Sequence, residues 1–242
     1  GAEPHDYEPT AQDMVRVEDS QIIVLNGGGL EAWGDNLRQS IDPSRTLIIN
    51  AGEDLATQGG GGGVARNADP HLWLSPPEAA KMVDKIAGAF VQADPANSDY
   101  YEKNAAALTL KLAQLDESYR AGLSACKEKN IITSHAAFGY VAATYGFTQV
   151  SIAGLSPDAE PSLQGLRDIT TFAKKNNVKY IFFESLVSPK LSNTIAREVG
   201  AQTLVLNPIE GLSREELRQG KNYFTEMESN LTNLQVALQC QP

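Results

Sequence analysis

Six short apolar runs alternate along the chain with stretches of helical periodicity. The runs cover residues 21–25, 46–49, 130–133, 149–152, 180–183 and 203–206. Continuous apolar runs of this length are typical of strands that are buried on both faces of a parallel sheet. Strands that alternate with helices predict an α/β fold in which helices flank parallel β-sheets.

One helical pattern is longer than any other in the chain and extends from Asp94 to about Cys126. Its apolar positions recur at steps of three or four residues: Tyr101, Ala105, Leu108, Leu112, Leu115, Tyr119 and Leu123. Thirty residues of helix would span about 45 Å. Because strands precede and follow this segment, we interpret residues 95–126 as a rigid connector between two lobes, residues 1–94 and 127–242. A long surface helix of a single domain is the alternative.

Two further helices have recognisable start signals. Both Ser75-Pro-Pro-Glu78 and Ser213-Arg-Glu-Glu216 match the capping box, and the first also places proline at the opening helical position. An apolar stripe then closes the chain and is predicted to pack against the core. Its members are Leu217, Phe224, Met227, Leu231, Leu234 and Leu238.

Composition and charge narrow the class of protein. The 242 residues are 42% hydrophobic and 21% charged, as in an ordinary globular protein. The sequence has no apolar stretch of about 18 residues and no signal-peptide pattern at its start, so a mature or truncated chain is expected. The net charge of −10 argues against nucleic acid or anionic lipid as partners. It favours a cationic ligand, although acidity can also serve solubility alone.

The two cysteines, Cys126 and Cys240, are too far apart in sequence for a CxxC motif. In an oxidising compartment one disulfide would join the end of the long helix to the C-terminus. Two unlinked thiols are the alternative. Five consecutive glycines at 59–63 predict a flexible surface loop.

The three histidines are the main candidates for chemistry. His5 lies in a turn-forming stretch, His71 lies in a loop before a helix, and His135 directly follows the run at 130–133. Ligands of open α/β sheets bind at the carboxyl ends of strands. Three neutral imidazoles and one carboxylate would fill a tetrahedral zinc shell. The sequence separations of 66 and 64 residues carry no local geometry, so a shared site and three structural histidines both stay possible.

Five motifs, in this order along the chain, resemble the metal-binding cluster of ABC-transporter solute-binding proteins, and in particular the zinc-uptake branch. They are Glu3-Pro-His-Asp-Tyr-Glu-Pro-Thr10, Asn26-Gly-Gly-Gly-Leu-Glu-Ala-Trp33, Asp69-Pro-His-Leu-Trp-Leu-Ser-Pro76, Ser134-His-Ala-Ala-Phe-Gly-Tyr140 and Asn207-Pro-Ile-Glu-Gly-Leu212. The resemblance covers essentially the whole chain. It implies two α/β lobes that are joined by one long rigid helix, with the metal in the cleft between the lobes.

The resemblance also implies a set of ligands. Two come from the first lobe and two from the second: His5, His71, His135 and Glu210. In manganese-type relatives a glutamate occupies the position of His135 and an aspartate is the last ligand, so the histidine here favours Zn²⁺ over Mn²⁺.

The fourth place in the shell has alternatives. A water molecule, Glu160 or Glu184 could occupy it instead of Glu210, and either of these two glutamates could instead orient a histidine. Trp73 and Tyr140 either form the walls of the site or serve ordinary packing.

The function that the resemblance implies is binding and transport without catalysis. We expect a monomeric, extracytoplasmic protein, periplasmic or anchored at the cell surface, that captures Zn²⁺ and delivers it to an ABC permease. Members of this branch often have a histidine-rich loop before the Asp-Pro-His motif, where this sequence has glycines and no histidine, so one principal metal site is expected. The alternatives are a manganese or iron carrier of the same family, an adhesin, or a zinc-dependent hydrolase, for which the sequence has no HExxH motif.

Overall fold

The computed structural model describes residues 3–55, 68–186 and 188–241. The predicted loop at 59–63 lies outside these residues. The described residues form two compact units, which divide between Asp116 and Glu117. Within this part of the chain, no helix combines the length and the apolar character that crossing a membrane requires.

The first unit contains a sheet of two parallel strands, β1 (Ile22–Leu25) and β2 (Leu47–Asn50). Ile23 and Leu25 of β1 pack against Leu37 of the helix that follows and Ile41 just after it, and these side chains form a core cluster of the unit. Its helices are α1 (Ala11–Glu18), α2 (Gly34–Ser40), α3 (Pro76–Ala93) and the first part of α4 (Ser98–Leu123), with short 3-10 turns at Pro4–Asp6, Leu72–Leu74 and Pro95–Asn97.

The second unit contains a parallel sheet of four strands in the order β4-β3-β5-β6. The strands are β3 (Asn130–Thr133), β4 (Thr148–Ser151), β5 (Tyr180–Phe183) and β6 (Gln202–Val205). Ile132 and Ile181 are fully buried between the sheet and its helices. The helices after α4 are α5 (Gly139–Tyr145), α6 (Leu163–Lys175), α7 (Lys190–Val199), α8 (Arg214–Arg218) and α9 (Tyr223–Ala237).

The six predicted strands are confirmed, each within one residue of its expected bounds. The long helix is also confirmed, but it is shorter than the sequence suggests, because residues 95–97 form a separate 3-10 turn before α4. Its 26 residues correspond to about 39 Å. The two units divide inside α4, and the finer division into residues 1–94, 95–126 and 127–242 stays a prediction.

The closing apolar stripe is wrong as a single element. Helix α8 ends at Arg218, Gly220 adopts a left-handed φ of +79°, and the Asn222 side chain caps a new helix, α9. Glycine adopts such a φ without steric cost, so the chain can change direction there. As a result Leu217 is 59% exposed and lies outside the core, whereas Met227 of α9 is buried.

One of the two predicted capping boxes is confirmed. Ser213 and Glu216 make both reciprocal hydrogen bonds at the start of α8. Helix α3 begins at Pro76 as expected, but Ser75 makes no side-chain cap. The reciprocal half of the box is also absent, because the Ser75 backbone N–H, which a capping box would donate to Glu78, is donated to the Leu72 carbonyl oxygen of the preceding 3-10 turn.

Cys126 and Cys240 form the expected disulfide, which lies just beyond the ends of α4 and α9. The backbone around it pairs as well, since Glu128 donates to Leu238 and Gln241 donates to Ala125. Further along the same two helices, the Tyr119 hydroxyl donates to the Met227 carbonyl oxygen at 2.7 Å. The disulfide therefore reinforces an attachment of α9 to α4 that hydrogen bonds already make.

Replacing both Cys126 and Cys240 by serine should lower the free energy of unfolding by about 2–5 kcal/mol, because the bond closes a long loop in the unfolded chain. Urea unfolding of the double variant, beside wild type with and without reductant, measures the difference. An unfolding midpoint that is unchanged in both comparisons would show that the backbone pairing alone fastens the two helix ends.

Candidate metal centre

Two of the expected ligands, His5 and His71, lie together in the first unit. Their Nε2 atoms are 3.2 Å apart and their ring centroids are 5.3 Å apart. His5 belongs to the 3-10 turn Pro4–Asp6, and His71 directly precedes the turn Leu72–Leu74. At this separation one ring nitrogen can hydrogen-bond to the other, or both can bind one metal ion.

Both histidines follow an acid-proline pair, and in both segments the acid accepts a hydrogen bond from the histidine backbone. Glu3 Oε1 accepts the N–H of His5 at 3.4 Å, and Asp69 Oδ1 accepts the N–H of His71 at 3.0 Å. Asp69 Oδ1 also lies 2.7 Å from His71 Nδ1. Because a carboxylate can only accept, the ring proton is on Nδ1 and the Nε2 lone pair is left for a ligand.

The glycine-rich loop after β1 supports the His71 segment from behind. The Asn26 side-chain amide donates to the Pro70 carbonyl oxygen at 2.9 Å. Gly28 packs so closely on Pro70 that a Cβ atom would lie 2.9 Å from the Pro70 Cα. Backbone N–H groups of Asn26 and Gly27 donate to Glu31 at 2.7 and 3.0 Å, so the loop binds its own carboxylate. The glycine-rich loop therefore positions the segment that carries His71.

Replacing Gly28 by alanine should displace the segment that carries His71 and weaken metal binding severalfold. It should also lower the free energy of unfolding by about 1–3 kcal/mol, since the φ of +67° disfavours a side chain and the Cβ atom would collide with Pro70. Gly146→Ala is the matched control, because Gly146 has a φ of +75° but nothing within 4 Å of a Cβ atom. Equal effects of the two variants on metal affinity would contradict this role.

The other two expected ligands lie together in the second unit. His135 Nε2 is 3.2 Å from Glu210 Oε1, and both side chains are almost completely buried. His135 follows β3, and Glu210 lies in the loop after β6. The connections leave the sheet in opposite directions from β3 and from β5, and such a switch point is where open α/β sheets form ligand sites.

Glu184 directly follows β5, the strand beside β3, and it contacts the far side of the His135 ring. Its Oε1 atom accepts the His135 backbone N–H at 3.2 Å and lies 2.7 Å from Nδ1. This is the same double contact that Asp69 makes with His71. Glu184 therefore orients the ring toward Glu210, which is one of the two roles that the sequence left open for it.

The remaining candidates lie around these pairs. Glu160 is exposed, and no hydrogen bond within the described residues joins it to His135. The Trp73 ring lies beside that of His71, with centroids 5.2 Å apart. Tyr140 is half-buried in the first turn of α5, and its part in a site stays a prediction.

Sequence reasoning missed the supporting role of Asp69. The signal for it was present, because an acid two residues before a histidine can reach both the backbone and the ring of that residue. Local sequence alone does not separate Glu184 from Glu210, since both follow strands, and only the family resemblance favours Glu210 as the ligand.

The charges around His135 change its protonation. Burial alone would lower the pKa of the imidazole, but hydrogen bonds to Glu184 and Glu210 and their negative charges outweigh burial and raise the pKa to about 9. At neutral pH and without metal, a protonated His135 therefore lies between two carboxylates. A metal ion that binds Nε2 has to displace that proton.

Metal-free protein should lose stability as the pH rises from about 6.5 to about 9. The His135 pKa is raised in the folded state, so its contribution is complete below the unfolded value of 6.5 and is lost as pH passes through about 9. The loss should be up to about 3 kcal/mol. Urea unfolding of chelator-treated protein at pH 6, 7.5 and 9.5 measures it. His135→Gln should flatten this part of the profile, and an equal slope in both proteins would contradict the assignment.

The chain is similar to known zinc-binding proteins over nearly its whole length. A family model described as zinc-uptake complex component A, periplasmic (ZnuA), matches residues 1–237. The chain is 41% identical over 245 residues to the zinc-binding lipoprotein AdcA of Streptococcus pneumoniae R6, covering 97% of this chain and 49% of that protein. It is 40% identical over 247 residues to the high-affinity zinc uptake system protein ZnuA of Bacillus subtilis, covering 98% and 77%. It thus spans about half the length of AdcA.

Solved structures give the same result. The Zn(II)-bound ZnuA-like domain of Streptococcus pneumoniae AdcA matches with a TM-score of 0.84 and 42% identity, covering 98% of this chain and 87% of that domain. The laminin-binding protein Lmb of Streptococcus agalactiae, described as bifunctional with adhesin and metal-transporting activity, matches with a TM-score of 0.86 and 33% identity, covering 98% and 88%.

Proposed function

Since the chain belongs to the ZnuA family, the periplasmic component A of zinc-uptake complexes, we propose that it captures Zn²⁺ outside the cytoplasm with high affinity and delivers it to an ABC permease for import. In this proposal the protein is a carrier without catalytic activity. The permease is the partner, and one metal ion is the cargo of each chain.

The spacing within each ligand pair carries the proposal. In a tetrahedral zinc shell with bonds of about 2.0–2.1 Å, neighbouring ligand atoms are about 3.3 Å apart. The His5 and His71 Nε2 atoms are 3.2 Å apart, and so are His135 Nε2 and Glu210 Oε1. Each pair therefore already has the length of one edge of such a tetrahedron. We assign the four side chains as the ligands of one zinc ion, two from each unit.

The chemistry of this ligand set favours zinc over harder cations. Three imidazole nitrogens and one carboxylate suit a borderline metal, whereas Mn²⁺ prefers a shell with more oxygen ligands and higher coordination. Because both units supply ligands, bound zinc favours the arrangement in which the two pairs share it.

The distribution of charge agrees with a cationic cargo. Residues 1–116 contain 18 acidic and 8 basic side chains, whereas residues 117–242 contain twelve of each. The whole net charge of −10 therefore belongs to the first part of the chain. Such a field attracts a divalent cation and repels anionic partners such as nucleic acid.

One other function has specific support, and one further alternative makes a different prediction. The Lmb protein shows that this fold serves as an adhesin in one relative, so a second role in adhesion is compatible with zinc capture. A zinc-dependent hydrolase would need an open coordination position for water. A hydrolase would show peptidase activity that is lost when a chelator removes the metal, whereas the carrier proposal predicts no peptidase activity.

Competitive titration of chelator-stripped protein tests the proposal. One tight equivalent of zinc is expected, with weaker manganese, and His71→Ala and His135→Ala should each reduce zinc affinity by roughly a hundredfold or more, because each removes a ligand. Glu160→Ala is the control and should leave affinity unchanged. The proposal fails if the intact chain binds no zinc tightly, or if both histidine variants bind it like wild type.

A further inference from the structure

The proposed ligand Glu210 lies in a strained loop. Ile209, the residue before it, has a φ of +56°. A β-branched side chain rarely adopts the left-handed region, because its Cβ substituents crowd the backbone there. Such a conformation persists only where surrounding contacts impose it. The position of Glu210 therefore depends on whatever holds residues 207–209.

The first restraint is a pair of hydrogen bonds between the Asn230 side chain of α9 and the Asn207 backbone. The Asn230 side-chain oxygen accepts the Asn207 N–H at 2.8 Å, and its amide nitrogen donates to the Asn207 carbonyl oxygen at 2.7 Å. Both residues are buried. One asparagine side chain thus satisfies both backbone groups of Asn207, as a neighbouring strand would.

The second restraint consists of hydrogen bonds that the Asn207 side chain makes. Its amide nitrogen donates to Glu226 Oε2 of α9 at 2.8 Å, and its oxygen accepts the Ile209 N–H at 2.8 Å. Lys221 lies 3.3 Å from the other Glu226 oxygen and fixes the carboxylate from the opposite side. The chain of contacts runs from α9 through Asn207 to the residue before Glu210.

We propose that Glu226 and Asn230 act through Asn207 as positioning residues that hold Glu210 against His135, so that the fourth zinc ligand is in place before the metal arrives. The inference rests on the proposed function, in which Glu210 binds zinc. Carboxylate and amide groups on the buried face of α9 are costly unless fully hydrogen-bonded. Their presence beside buried Met227 fits a role in fixing a geometry better than a role in packing.

Glu226→Leu and Glu226→Gln form the central comparison. The leucine variant removes the acceptor of the Asn207 amide and should weaken zinc binding about 10–100-fold, mainly through faster dissociation. The glutamine variant keeps an acceptor oxygen and should stay within about threefold of wild type, because losing the partly exposed Lys221 ion pair has little effect. Zinc dissociation into excess chelator measures the rate, and the visible spectrum of the cobalt-substituted protein reports whether four-coordinate geometry is lost.

The same substitution in a Glu210→Ala background separates positioning from general damage. If Glu226 acts only by placing Glu210, then Glu226→Leu should change zinc affinity no further once Glu210 is absent. Asn233→Leu is the matched control, because Asn233 also lies on α9 and donates to the β6 backbone at Val205, ahead of the strained loop. It should leave zinc dissociation unchanged. Asn230→Ser is a milder substitution that removes the hydrogen bonds to the Asn207 backbone, and it replaces Glu226→Leu if the latter does not fold.

The outcomes distinguish the two proposals. Absence of tight zinc binding in wild type, or a Glu210→Ala variant with wild-type affinity, would remove the ligand assignment. If Glu210→Ala weakens binding but neither Glu226→Leu nor Asn230→Ser does, the ligand stands and the positioning role is wrong. An equal effect of Glu226→Leu with and without Glu210 would also overturn the positioning role.

Discussion

The hydrogen bond between a carboxylate and histidine Nδ1 is the interaction on which the candidate site depends. Asp69 makes it to His71 and Glu184 makes it to His135, in each case while accepting the backbone N–H of the same histidine. Two bonds to one oxygen fix the ring against its own backbone. They also place a proton on Nδ1, so that Nε2 is the nitrogen that faces the other candidate ligand. An imidazole ring that rotated freely or was flipped would lose these hydrogen bonds and would not present Nε2 in a fixed direction.

These carboxylates have an electrostatic consequence for the protein without metal. Glu184 and Glu210 lie on the two sides of a buried imidazole, and buried carboxylates of like charge are unfavourable unless a cation lies between them. A proton on His135 supplies that positive charge. Zinc would replace it, so binding exchanges one cation for another and leaves no carboxylate unbalanced.

Much of this could be predicted from local sequence, and the limits have physical causes. The strands have strong apolar patterns, and a histidine that directly follows a strand can be placed at the carboxyl end of that strand without knowledge of the rest of the fold. The family resemblance favours Glu210 as the ligand, but local sequence could not predict that Glu184 orients His135, because that contact depends on β5 being the neighbour of β3. The left-handed φ of Ile209 could not be predicted from the sequence either, since Asn207 and α9 impose it and the local sequence does not favour it.

The two proposed ligand pairs are built by different means, and this difference affects how each responds to perturbation. The carboxylate that orients His71 is two residues away, so local backbone geometry does most of the work. The His135 and Glu210 pair instead requires β3, β5 and α9 to be correctly placed relative to one another. Its supporting contacts join residues that are distant in sequence: His135 and Glu184 are 49 residues apart, and Asn207 and Asn230 are 23 residues apart. The disulfide fastens the end of α9 to the end of α4, so it restrains the helix whose Asn230 and Glu226 side chains bond Asn207. If Glu210 binds zinc as proposed, an oxidising compartment would therefore support the less local pair, and the disulfide would contribute to the geometry of that pair as well as to overall stability.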